Sequence, residues 1–168
     1  LKDSISDALT TAFKFLSYRQ RSVHEMRLHL ESKSYDAEEV CSALLLLISD
    51  DYLNDDKFAA MLVDSRIKTR HWGKRKIAID LKRRGIPQAV IDGSLTGIDQ
   101  RAEERTAEKA LEKWARVRRV QGLFNEKTAR MAYRHLEARG FSASLIIPLL
   151  KHRGREEAAD NGLYEPGL

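Results

Sequence analysis

Apolar residues recur at intervals of three and four along nearly the whole chain, with no sustained alternation, so the pattern predicts helices throughout. Ile5, Ala8, Leu9, Ala12, Phe13 and Leu16 form the first stripe. Ser22 to Glu25 opens a second helix as a capping box: the serine hydroxyl accepts from the Glu25 amide, and the carboxylate reaches back to Ser22. Val23, Met26 and Leu30 form its inward face, and it stops near Ser32 to Ser34. Asp36 to Glu39 repeats the capping logic ahead of a third helix carrying Val40, Ala43, Leu44, Leu47 and Ile48.

The order of elements then returns. Asn54-Asp55-Asp56 starts a helix with Phe58, Ala59, Leu62, Val63 and Ile67, and Gly73 begins the next, with Ile77 and Leu81 inward. Lys74, Arg75, Lys82 and Arg83 fall largely outward on that helix. Gly85 ends it, because glycine takes a left-handed C-cap without steric cost. Pro87 sits in the first turn of a short helix through Val90, Ile91 and Leu95. A third set runs from Arg101 past Trp114, then Asn125 to Arg139, then Ser142 to Lys151.

Self-comparison turns this order into a repeat. Leu30 to Tyr35, Leu81 to Ile86 and Leu136 to Phe141 share a leucine, two variable residues, a base, a small residue and a large side chain. The alignment extends forward to Val40, Ile91 and Ile146, and back to Ser22, Gly73 and Thr128 as helix-start residues. The expected fold is therefore all-α: about nine helices in tandem three-helix repeats, stacked into an elongated, curved array. The repeats fall at 1–54, 55–98 and 99–153. Residues 154–168 carry Gly, Asn, Pro and charge with little to bury, and are expected to be a disordered tail docked at most by Tyr164.

Composition changes this picture through the placement of charge. The net charge of +5 on 168 residues is modest, but the first repeat carries −3, the second +5 and the remainder +3. From Arg66 to Arg84 there are nine Lys or Arg and one acid, Asp80. Such asymmetry favours a polyanionic or acidic partner, against the simpler alternative of a solvated helical face. The longest apolar stretch, Ala43 to Ile48, is far short of a membrane span, so no membrane partner is expected. The single Cys41, in an apolar run, reads as a buried thiol in a reducing, cytoplasmic setting. No signal-peptide pattern is present, and the start at Leu1 leads one to expect further residues before it.

Catalytic and metal chemistry find little support. No phosphate-binding glycine loop or dinucleotide fingerprint occurs. His24 and His29 are five residues apart, about 140° around a helix, so they cannot share a zinc ion. No nucleophile, general base, metal site or cofactor site is expected, which argues against an enzyme.

Binding chemistry is richer. Arg66, Lys68, Arg70, His71, Lys74, Arg75 and Lys76 surround Trp72 and Gly73 where one helix gives way to the next. The free amides at Gly73, with Lys74 beside them, suit a phosphate or a carboxylate. Trp72 reads either as a stacking surface for a nucleobase or as packing beneath the junction. Lys82, Arg83 and Arg84 close the same helix; Arg116, Arg118 and Arg119 end the long helix of the third repeat; Arg130 and Arg134 are four apart on the next. Single- or double-stranded DNA held by these groups would dissociate with salt, at close to one log unit per log of salt for each phosphate contact.

The run Arg19 to Met26 with Leu30, then Asp51 to Ala59, resembles the RecX family, and Gly73 to Ile77, Leu81 and Gly85-Ile86 continue the match. The resemblance covers about residues 8–152 and is strongest from 19 to 95. One departure is the turn before Tyr52, where the family usually carries glycine and this chain has Asp51. The resemblance implies a non-enzymatic, monomeric regulator of the RecA recombinase in recombination, DNA repair and the SOS response. Such a protein lodges in the groove of the RecA–DNA filament and alters ATP hydrolysis and strand exchange. The basic residues named above are then candidates for the filament or DNA surface, and an acidic first repeat would favour a defined polarity along the filament. The alternative is a helical module that acts by competing for DNA.

Overall fold

The computed structural model describes residues 2–120 and 125–160. Among them are nine α-helices and no strand: α1 (Lys2–Leu16), α2 (Val23–Glu31), α3 (Ala37–Ser49), α4 (Asp55–Ser65), α5 (Lys74–Arg83), α6 (Gln88–Thr96), α7 (Gln100–Arg118), α8 (Glu126–Ala138) and α9 (Ala143–Asp160). A π-helical turn, Arg66–Arg70, extends α4. No helix among the described residues is long and apolar enough to cross a membrane.

Both predicted capping boxes are formed. Ser22 Oγ accepts from the Glu25 amide at 3.1 Å and the Ser22 amide donates to Glu25 at 3.3 Å. The equivalent pair at Asp36 and Glu39 measures 2.8 and 2.9 Å. Gly85 ends α5 in the left-handed region at φ +72°, and Gly140 ends α8 at φ +88°. Asp51, standing where glycine is usual, adopts φ +62°. Its carboxylate holds that strained turn locally, accepting from Asn54 at 2.9 Å and pairing with Lys57.

The helices form two compact units, Leu1–Val63 with Asp80–Leu95, and Asp64–Ile79 with Thr96–Leu168. The helices of the second repeat are therefore shared between them. In the first unit α1, α2 and α3 pack on one another around Ala8, Ala12, Met26, Leu30, Val40, Ala43, Leu44 and Leu47. In the second, α7, α8 and α9 enclose Ala107, Ala110, Leu111, Trp114, Ala132, Leu136, Phe141 and Ile146. Ile77 and Leu81 are fully buried, as the periodicity of α5 requires.

Four expectations need correction. Cys41 is exposed, because α3 buries Val40, Ala43, Leu44 and Leu47 and position 41 lies off that face. Phe13 and Ile48 are 42% and 45% exposed rather than part of the core; Phe13 meets the Tyr52 ring edge-on at 4.9 Å. Thr128 is not equivalent to Ser22 and Gly73: Asn125 caps α8, accepting from the Lys127 amide at 2.8 Å, and Thr128 lies within the first turn. Finally, α9 does not stop at Lys151 but runs through Gly154 to Asp160. Arg155, Glu156, Glu157 and two alanines are good helix formers, and Glu156 pairs back to His152 and Arg153 at 3.5 and 3.6 Å. Tyr164 lies outside the described residues.

Candidate nucleic-acid interface

The cationic cluster begins where α4 widens. After Ser65 the chain makes the π-helical turn, and His71 closes it in the left-handed conformation at φ +51°. Its amide reaches the Ile67 carbonyl at 3.2 Å, and the Trp72 amide reaches Arg66 at 3.3 Å. Such turns recur at binding sites because the extra residue redirects side chains. Here Lys68 and His71 line a groove shared with α7, whose contribution is Arg105, Lys109, Lys113 and Arg116, with Glu112 as the acid. The groove has two neighbouring parts, of about 470 and 290 Å³, that share His71 and Lys109 as lining residues. Among its cations Lys68 carries an exposed ion pair, to Asp64 at 2.8 Å, which is weak and leaves the ammonium available.

Arg105, Lys109 and Lys113 are absent from the residues singled out by sequence. They alternate with Glu103, Glu104, Glu108 and Glu112, so the segment reads as neutral. The signal that finds them is spacing: 105, 109, 113 and 116 fall on one helical face.

The rest of the cluster divides into cations that hold the fold and cations left at the surface. The Gly73 amide donates to the Arg139 carbonyl at 2.8 Å, and the Lys74 amide donates to Glu103 at 3.1 Å. The anion foreseen at this helix start is therefore a carboxylate of α7. Lys76 donates to the Ala138 carbonyl at 2.7 Å, capping the end of α8. Trp72 is half-buried, with the Arg66 guanidinium 5.3 Å and the Lys76 ammonium 5.0 Å from its ring centre. Arg70 and Arg75 are exposed, and the Arg70 carbonyl accepts from Arg139.

On the last turn of α5, Lys82 and Arg83 are exposed but Arg84 is not available. Its guanidinium donates to Glu25 at 3.0 Å and to Asp80 at 3.3 Å, with only 22% of the side chain exposed. Burial alone would raise the Glu25 carboxyl, but Arg19, the Ser22 amide and Arg84 together hold it below the usual carboxylate range. Arg84 is a structural residue of the first unit and leaves the candidate surface.

Of the later clusters, Arg116 joins the groove, while Arg118 lies 5.9 Å from the Trp114 ring centre. Arg119 is exposed and ends α7 in the left-handed region. Arg130 pairs with Glu126 one turn back, and Arg134 is exposed on the same helix. On the same helix His135 accepts at Nε2 from Arg139 Nε at 2.8 Å. Burial, together with Arg139, Arg118 and Lys76, depresses its pKa to about 4, so the imidazole is neutral.

Models of the first and second three-helix domains of RecX match residues 8–44 and 54–95. A protein of Geobacillus thermodenitrificans described as regulatory protein RecX is 31% identical over 150 residues, 88% of this chain and 54% of that protein. One of the same description from Bacillus licheniformis is 29% identical over 166 residues, 99% of this chain and 62% of that protein. This chain thus spans little more than half the length of these curated relatives. A crystal structure of RecX from Lactobacillus salivarius superposes with a TM-score of 0.80 at 22% identity, covering 90% of this chain and 97% of that one.

Proposed function

The chain belongs to the RecX family, and from that premise we propose that it is a non-enzymatic regulator, most directly an inhibitor, of RecA in recombination and DNA repair. It lodges in the groove of the RecA–DNA filament and slows ATP hydrolysis and strand exchange. The observation that carries this reading is the groove between the π-helical turn and α7, where Lys68, Arg105, Lys109, Lys113 and Arg116 converge against Glu112 as the acid. A phosphate backbone is the natural counterpart of such a row, because each neutralised phosphate releases condensed counterions. Arg70, Arg75, Arg119 and Arg134 are further exposed cations of this unit. The protein needs no cofactor, and it acts as a monomer in the cytoplasm.

The test is the ATPase of RecA filaments preassembled on a short oligonucleotide with no free DNA. Inhibition at substoichiometric ratios, lost in Lys109→Glu/Lys113→Glu/Arg116→Glu, is the expected result. Inhibition that appears only when the protein matches the DNA sites in number, and that added free DNA relieves, would instead identify a module that competes for DNA. Full inhibition by the triple variant would remove the groove from the mechanism.

A further inference from the structure

The first repeat is acidic as a whole, yet one open pocket on it runs against that charge. Its walls are Lys14, Phe15 and Tyr18 of the α1 segment, His29 and Lys33 at the end of α2, and Tyr35; its volume is about 370 Å³. That is the size class of a single small-molecule ligand. Lys14 and Lys33 are exposed, and neither has an ion-pair partner among the described residues, although the repeat carries nine acids.

The floor is rigid. The Phe15 ring is clasped between His29, stacked at 3.8 Å with an 11° interplanar angle, and the Arg21 guanidinium at 3.7 Å. The Tyr35 hydroxyl is pinned by Asp7 at 2.6 Å and Thr11 at 2.9 Å. His29 titrates below its ordinary value, through burial and the charges of Lys33 and Arg21, so it offers a neutral ring to a ligand. At the rim Tyr18 is 74% exposed. A large aromatic face left in water beside two unpaired ammonium groups is the arrangement that accepts a base and its phosphate.

We propose that this pocket binds one nucleotide unit of a single-stranded nucleic acid, with the phosphate between Lys14 and Lys33 and the base on Tyr18. The first unit then contributes a contact of its own to nucleic acid, separate from the basic groove of the second. The proposal does not depend on RecA and is tested on naked nucleic acid.

The experiment is fluorescence anisotropy of a labelled oligothymidylate over a series of salt concentrations, with the full chain. Lys14→Gln/Lys33→Gln is expected to weaken binding and to lower the log–log salt slope by about 0.7, the value for the one single-strand phosphate contact that the two lysines share. Tyr18→Ala is expected to lose roughly tenfold in affinity, while Tyr18→Phe retains the wild-type value. Groove variants at Lys109 and Lys113 keep the Tyr18 effect, which separates the two sites. Thymidine monophosphate as a second probe distinguishes the source: tighter binding of the oligonucleotide assigns a strand, and equal affinity assigns a free nucleotide. Absence of oligonucleotide and nucleotide binding by the wild type overturns the proposal. So do a Lys14→Gln/Lys33→Gln slope and a Tyr18→Ala affinity that both match the wild type. Because all three side chains are solvent-exposed, circular dichroism melts unchanged from wild type accompany either outcome.

Discussion

The Gly73 amide donates to the Arg139 carbonyl at 2.8 Å. Its counterpart in the other unit is Ser22, whose hydroxyl donates to the Arg84 carbonyl at 2.6 Å. In both cases the donor stands at the start of a helix and the acceptor immediately precedes a left-handed glycine, Gly140 or Gly85, that ends another. At Gly73 a spare helix-start N–H meets a spare helix-end carbonyl, while at Ser22 the capping hydroxyl serves the same kind of carbonyl. The repeat visible in the sequence is thus also a repeat of packing: the beginning of one module's helix seats on the terminal turn of the next.

Glycine at the joint is required by space as well as by φ. A Cβ on Gly140 would fall 2.4 Å from the Lys76 backbone nitrogen, at φ +88°. Gly140→Ala should therefore destabilise the protein by about 1–3 kcal/mol in urea melts. Gly93, inside α6, has nothing within 4 Å of its would-be Cβ. Gly93→Ala should stabilise by about 0.5–1 kcal/mol through helix propensity. Equal effects at the two sites would refute the joint.

Arg84 is a structural cation. Its partner Glu25 is 18% exposed, so solvent screens the pair little. Arg84→Met should cost about 2–3 kcal/mol, since Glu25 loses a charged hydrogen bond in a largely desolvated place. A double-mutant cycle with Glu25→Gln should give a coupling of about 1–2 kcal/mol. DNA affinity of Arg84→Met should match the wild type; a loss comparable to that of a groove variant would return Arg84 to the binding surface.

His135 links stability to pH. Its folded-state pKa of about 4 lies below the ordinary 6.5. As pH falls, the unfolded chain takes up the proton first, so stability is full above 6.5 and declines progressively toward 4. His135→Gln keeps an acceptor for Arg139 but does not titrate. Urea midpoints at neutral and mildly acidic pH should fall more for wild type than for this variant, and parallel falls would exclude His135 as the source.

The groove should declare itself in salt dependence. Lys109→Gln/Lys113→Gln/Arg116→Gln should reduce the slope of log affinity against log salt on duplex DNA by roughly 2 to 3, one step of about 0.9 per lost phosphate contact. Lys76→Gln removes a cation that caps α8, and it should lower the melting temperature while leaving that slope unchanged.

Whatever depends on near neighbours is legible along the chain. The capping boxes at Ser22 and Asp36, the left-handed stop at Gly85 and the inward Ile77 and Leu81 all follow from bonds and periodicities reaching at most four residues, and they are found where that logic puts them. The tertiary structure alone decided which cations are spent. Arg84 meets Glu25 across 59 residues, Lys76 meets Ala138 across 62, and Glu103 takes the amide of Lys74 across 29. A run of Lys and Arg looks the same in sequence whether a chain carbonyl, a buried carboxylate or solvent receives it. The fate of each charge depends on distant partners, and the groove of Lys109 and Lys113, hidden among glutamates, appears only once α7 is laid beside the turn that His71 closes.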